Sequence, residues 1–114
     1  MRPPILDPIA WRSMWLLALF DLPVETPSQR RDYTRFRRGL LDDGFVMMQY
    51  SVYMRHCASP ENAEVHRKRM AGQVPPSGEV RFLTITDAQF SRIVVVTGKK
   101  RKPPETPPAQ LEFF

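Results

Sequence analysis

Residues 14–20 read MWLLALF, and the residue that ends this apolar run is an acid, Asp21, with Pro23 two positions on. Asp is a poor strand residue and is costly to bury without a partner, so here it either starts an Asx-type turn or is held for chemistry. It is a single hard oxygen ligand, too little for magnesium by itself. Two copies of the chain related by a two-fold axis would present two Asp21 carboxylates to one Mg ion, with water and phosphate completing the octahedron. An ion held in this way generates hydroxide and stabilises charge at a phosphodiester, which makes Asp21 the candidate catalytic and metal-binding residue.

The second cluster is basic. Five arginines fall within residues 30–38 (RRDYTRFRR), a KKRK run (Lys99, Lys100, Arg101, Lys102) follows near the end, and the formal net charge is +5. Such clusters suit a polyanion, nucleic acid above all, unless they only form a solvated face. Helical spacing places Tyr33, Phe36, Leu40 and Leu41 on one side, to pack on a sheet, and Arg31, Arg35 and Arg38 on the other. Only Asp42, at the far end, stands against that basic stripe, so its guanidiniums are free to donate to phosphates along a backbone. Arg30 and Arg37 flank the apolar side and are expected to bury their stems. Residues 79–86 (EVRFLTIT) lack the aromatic pattern of an RNA-recognition module, so backbone or shape recognition with a steep salt dependence is expected.

Other residues are weaker candidates. Ser51 and Tyr53 could face phosphate, but strand hydroxyls are more often satisfied locally. His56 and His66 have no acid partner in view and read as surface residues. Asp42 and Asp43 at a helix C-terminus oppose the helix dipole and suit the exit loop better than catalysis.

These residues must be positioned by a chain of 114 residues, 42% hydrophobic, which fits one domain with a modest core. The single cysteine, Cys57, allows no internal disulfide, and with two histidines it makes no zinc-type ligand set. No run approaches the roughly 20 apolar residues of a membrane span, and the apolar run before Asp21 is too short and wrongly flanked for a signal peptide. The expectation is a soluble cytoplasmic protein with no membrane partner.

Prolines mark both ends and divide the chain into an N-terminal arm (1–13), a core (14–97) and a basic, proline-rich tail (98–114) closing in LEFF. The core opens with the strand ending at Asp21. A helix follows, with Thr26 as cap, Pro27 at its first position, Gln29 completing a capping box and Gly44 as its stop. Residues 45–54 (FVMMQYSVYM) read as strand, broken at Gln49, and a second helix runs from Ser59 towards Gly72. Residues 79–86 form the next strand, 87–91 a short helical connection, and 92–97 (RIVVVT) a surplus fifth strand. The order is βαββαβ, an α+β ferredoxin-like sandwich with an additional C-terminal strand. Its two helices cover one face of the sheet, yet the first strand is apolar at every position, so a second face needs cover. A second copy is the simplest cover, the extra strand completing the sheet of a homodimer partner; the alternative is a monomer with an exposed apolar face.

The FDLP at residues 20–23, the TPSQRRDYTRFRRGLLDDGF helix, MMQYSVYMR and GEVRFLTITDAQFSRIVVV together resemble the CRISPR-associated endoribonuclease family, the second core adaptation protein of CRISPR systems. Their spacing is most similar to the branch associated with the large single-protein RNA-guided effector. The resemblance implies a ferredoxin-like homodimer at the centre of an integrase complex, holding double-stranded DNA on its basic surface between dimers of a catalytic integrase subunit. It also implies, for some members, cleavage of RNA or DNA with a metal held by the aspartate that corresponds to Asp21.

Two functions therefore stand side by side. One is a scaffold that binds duplex DNA through Arg31, Arg35, Arg38, Lys99, Lys100, Arg101 and Lys102 and bridges integrase subunits during spacer acquisition. The other is a magnesium-dependent endonuclease acting through paired Asp21. A toxin-like RNA-cleaving relative of the same fold is a third.

Overall fold

The structure is a computed structural model and describes residues 13–98. It contains β1 (Met14–Asp21), α1 (Pro27–Asp42), β2 (Val46–Gln49), β3 (Val52–Cys57), α2 (Pro60–Ala71), β4 (Glu79–Thr86) and α3 (Asp87–Phe90). The four strands form one sheet in the order β2-β3-β1-β4, every neighbouring pair antiparallel. This is the ferredoxin-like βαββαβ arrangement, with each helix crossing between two strands that flank a third.

Local chemistry sets the boundaries. Thr26 Oγ1 accepts from the Gln29 amide at 3.1 Å, while Gln29 Oε1 accepts from the Thr26 amide at 3.0 Å, closing the capping box ahead of α1. Gly44 ends the exit turn with φ +93°, a conformation that side chains rarely adopt. Ser59 caps α2 through its hydroxyl, with Pro60 in the first turn. The break expected at Gln49 is present: the β2–β3 ladder is irregular between Met47 and Gln49, and the turn through Tyr50 places Ser51 at φ 63°.

Alternation along β1 sends Leu16, Ala18 and Phe20 into the core beside Phe36 and Leu40 of α1, Tyr53 and Cys57 of β3, and Ala63 and Met70 of α2. Leu41, assigned to this packing face by its spacing, remains exposed, because the helix turns its 36/40 edge rather than its 37/41 edge to the sheet.

The opposite face carries Trp15, Leu17 and Leu19. They pair across the ladders with His56, Met54 and Val52 on one side and with Ile85, Leu83 and Arg81 on the other. Cover on this face is uneven: Leu17 is buried and Leu19 half-buried, while at the other end Trp15 stacks on Phe90 of α3 at 4.0 Å and donates its indole N–H to Asp87 at 2.7 Å. Val46 and Leu83 on the flanking strands are half exposed. Residues 92–97, expected as a fifth strand, form no strand within the single chain, and Val94, Val95 and Val96 are more than 80% exposed. A strand exists only against a neighbour, and this segment pairs with neither edge of its own sheet.

No helix among the described residues is long and apolar enough to cross a membrane. The N-terminal arm up to residue 12, the KKRK run and the terminal LEFF lie outside the described residues.

Candidate nucleic-acid interface

The outer side of α1 is an open groove lined by Pro27, Arg30, Arg31, Thr34, Arg35 and Arg38. Positions 31, 34, 35 and 38 stack because residues three and four apart share a helix face. Arg31, Arg35 and Arg38, singled out by their spacing, therefore stand together and face solvent.

Three details bear on expectation. Arg30 is exposed and belongs to the groove: its Nη1 donates to the Val24 and Glu25 carbonyls, both at 3.1 Å, so the guanidinium is steadied at the helix entrance rather than buried. The stripe also contains an acid, since Arg35 Nη1 pairs with Asp32 at 3.1 Å. That pair is largely exposed and contributes little to stability, so a phosphate can compete for the guanidinium. Arg37 behaves as expected: it is half-buried, and its Nε donates to the hydroxyl of the buried Tyr53 at 2.7 Å, leaving it no part in the groove. That bond also satisfies Tyr53 within the fold, away from any phosphate.

Asp21 lies at the end of β1 and is exposed. Alternation puts it on the second face with Trp15, Leu17 and Leu19, next to Glu79 in the β4 register, whose own carboxylate pairs with Arg81 at 3.2 Å. Its side chain has no hydrogen-bond or ion-pair partner among the described residues, so it forms no Asx turn. Among the described residues no group of three or more His, Cys, Asp or Glu side chains is placed to hold a metal ion. Asp21 is thus an unengaged carboxylate, a hard oxygen donor of the kind magnesium takes, at the edge of the second face.

Sequence reasoning missed two arrangements. His66, expected at the surface without a partner, is buried, and its Nδ1 donates to Asp43 Oδ2 at 2.8 Å. Arg69 donates to the other carboxylate oxygen, and Arg55 Nε donates to the Asp43 carbonyl at 2.7 Å. An acid at a helix C-terminus needs donors nearby, and His66 and Arg69, three apart on α2, are the sequence signal that supplies them. The cluster ties the end of α1 to α2 and so fixes the groove's helix. Cys57, in the adjoining core, is fully buried, and burial pushes its thiol up, which favours the protonated form.

The second arrangement is aromatic. Tyr33 packs on Phe20 from one side of α1, and Tyr50 stacks on Tyr33 with ring centres 6.3 Å apart and planes at 23°. Burial, aided by the Tyr50 hydroxyl, pushes the Tyr33 phenol up to about 12. His56 is exposed beside the edge of Trp15, with Nε2 3.2 Å from Ser13 Oγ.

Comparison with known proteins places this geometry. The family model described as CRISPR associated protein Cas2 matches residues 14–93. A protein of Parvibaculum lavamentivorans named CRISPR-associated endoribonuclease Cas2 is 65% identical over 101 residues, 89% of this chain and 100% of the relative. A Flavobacterium psychrophilum protein of the same name is 48% identical over 104 residues, 91% of this chain and 90% of the relative. Among solved structures, that of Streptococcus pyogenes Cas2 at pH 6.5 aligns with TM-score 0.57 at 19% identity, covering 73% of this chain and 99% of that one, a likeness of fold. With the family model covering the sheet, both crossing helices and Asp21, the chain belongs to the CRISPR-associated Cas2 family.

Proposed function

We propose that residues 14–97 form the core of a CRISPR adaptation subunit. It is a homodimeric scaffold that grips double-stranded DNA and bridges catalytic integrase subunits during spacer acquisition. The observation that carries this is the arginine groove of α1: Arg30, Arg31, Arg35 and Arg38 share one outer face, on which Asp32 pairs with Arg35 and Asp42 stands at the far end. Guanidiniums in a row neutralise successive phosphates and read no sequence, which is what a scaffold for arbitrary DNA requires. The groove lies on the helix layer, whereas the surface open to a second copy is the other side of the sheet, so dimerisation leaves the groove free. In this reading Lys99, Lys100, Arg101 and Lys102 extend the basic surface, and residues 92–97 pair with the partner's sheet edge.

A second reading is favoured by Asp21, unengaged at the margin of the uncovered face, and by the relatives' name of endoribonuclease. Two copies closing that face would bring paired Asp21 carboxylates to a shared Mg ion. Magnesium, when bound, would lower the pKa of a coordinated water and offset phosphate charge. The chain's own contribution is a carboxylate held at a strand end, with the arginine groove positioning an RNA or DNA backbone.

Direct binding separates the two. The Arg31→Ala, Arg35→Ala, Arg38→Ala triple variant should weaken duplex binding on every sequence and reduce the dependence of log K on log salt by roughly 0.9 for each phosphate no longer neutralised. Unchanged affinity and slope would overturn the scaffold assignment. Asp21→Asn should leave duplex binding intact, while abolition of magnesium-dependent cleavage in a folded Asp21→Asn protein would establish the nuclease.

A further inference from the structure

We propose that Tyr50, at the tip of the β2–β3 turn, is a stacking platform for an unpaired nucleobase beside the arginine groove, an inference that rests on the nucleic-acid reading above. Of the three tyrosines, Tyr53 is buried, Tyr33 is half-buried, and Tyr50 alone is 70% exposed. Exposure of a single aromatic is ordinary; its mounting is not. The ring rests on Tyr33, and Tyr33 packs in turn on Phe20 of β1. The turn that presents it holds Ser51 at φ 63°, in the left-handed region where residues other than glycine are uncommon. The Ser51 carbonyl accepts the Phe20 amide at 3.0 Å, which ties the turn to the last residues of β1 before Asp21. Tyr50 is therefore an oriented ring with most of its surface open to water.

Its place selects the ligand. Tyr33 lies three residues after Arg30 on α1, so Tyr50, resting on Tyr33, borders the Arg30 edge of the groove on the flank away from Arg31 and Arg35, and a backbone held at Arg30 is the one that runs past it. A paired base within a duplex has both faces occupied by its neighbours, whereas an unpaired base has a free face that gains by lying on an aromatic ring. The recognised chemistry is the face of the base, common to DNA and RNA, and the arginines hold the phosphates.

The test measures binding of the full chain to three labelled probes by fluorescence anisotropy: a mixed-sequence single-stranded DNA, the RNA of the same sequence and a blunt DNA duplex. Tyr50→Ala should lose between about 5-fold and 150-fold in affinity for single strands while keeping duplex affinity and salt slope. Tyr50→Leu, which still packs on Tyr33 but has no π face, should lose as much, and Tyr50→Phe should bind like wild type. A loss confined to one sugar type supports the platform and names its source. Equal binding of single strands by wild type and Tyr50→Ala, loss by Tyr50→Phe matching that by Tyr50→Leu, or an equal loss on the duplex overturns it. A wild-type chain that binds duplex but no single strand overturns the platform and spares the scaffold. Failure to bind any probe defeats the nucleic-acid reading itself.

Discussion

The two faces of the sheet are cut from the same strands, yet they are finished differently. On the helix side, Leu16 and Ala18 are fully buried under Phe36, Leu40, Ala63 and Met70. On the other side, the neighbouring residues of β1 are equally apolar and Leu17 is buried, but α3 covers one end only and Val46 and Leu83 on the flanking strands stay half exposed. A chain with two long helices can close one face of a four-stranded sheet, so an apolar run over residues 14–20 of β1 leaves part of a second surface for another molecule to close. The valines at 94–96, exposed in the single chain, lie in the same category. The unengaged acid sits at the edge of this unfinished face, and the arginines sit on the outside of the finished one.

Substitutions should therefore divide by face. Phe36→Ala removes a ring from the closed side and should lower unfolding free energy by about 3–5 kcal/mol, measured by urea denaturation, with the surviving folded protein still self-associating. Leu83→Glu should do the reverse. It leaves the closed side untouched but puts a carboxylate on the unfinished one, so the dimer dissociation constant should rise at least ~100-fold by analytical ultracentrifugation. Gly44→Ala should be milder. Its φ of +93° strains any side chain, and the new Cβ would meet Arg55 Nε at 3.1 Å, so a loss of about 1 kcal/mol or more is expected, without effect on dimerisation.

The smallest effect belongs to Tyr33. Its phenol rises from 10.0 in the unfolded chain to about 12 in the fold, so the folded state favours the protonated form. That contribution is complete below pH 10 and disappears as pH climbs from about 10 towards 12. Tyr33→Phe should remove this part of the alkaline decline, and with it a late phase in the spectrophotometric titration of the tyrosines.

Features written in neighbouring residues were legible in the sequence. The capping box Thr26–Gln29, the stop at Gly44, the break at Gln49, the strand ending at Asp21 and the outer stripe Arg31, Arg35, Arg38 depend on interactions within a turn or two, where spacing and geometry coincide. What depends on packing between distant elements was not. His66 meets Asp43 only because α2 docks against the end of α1, and Arg30 leaves the core because carbonyls of the preceding loop bind its guanidinium. Residues 92–97 have the β-branched composition of a strand, but composition does not say which edge a strand will join.

Sedimentation velocity of the wild-type chain across a dilution series bears most directly on the claim that a second copy finishes the sheet. A species of twice the chain mass that persists to low micromolar concentration, and that Leu83→Glu reduces to single chains, is the expected result. Single chains of wild type at every concentration would contradict it.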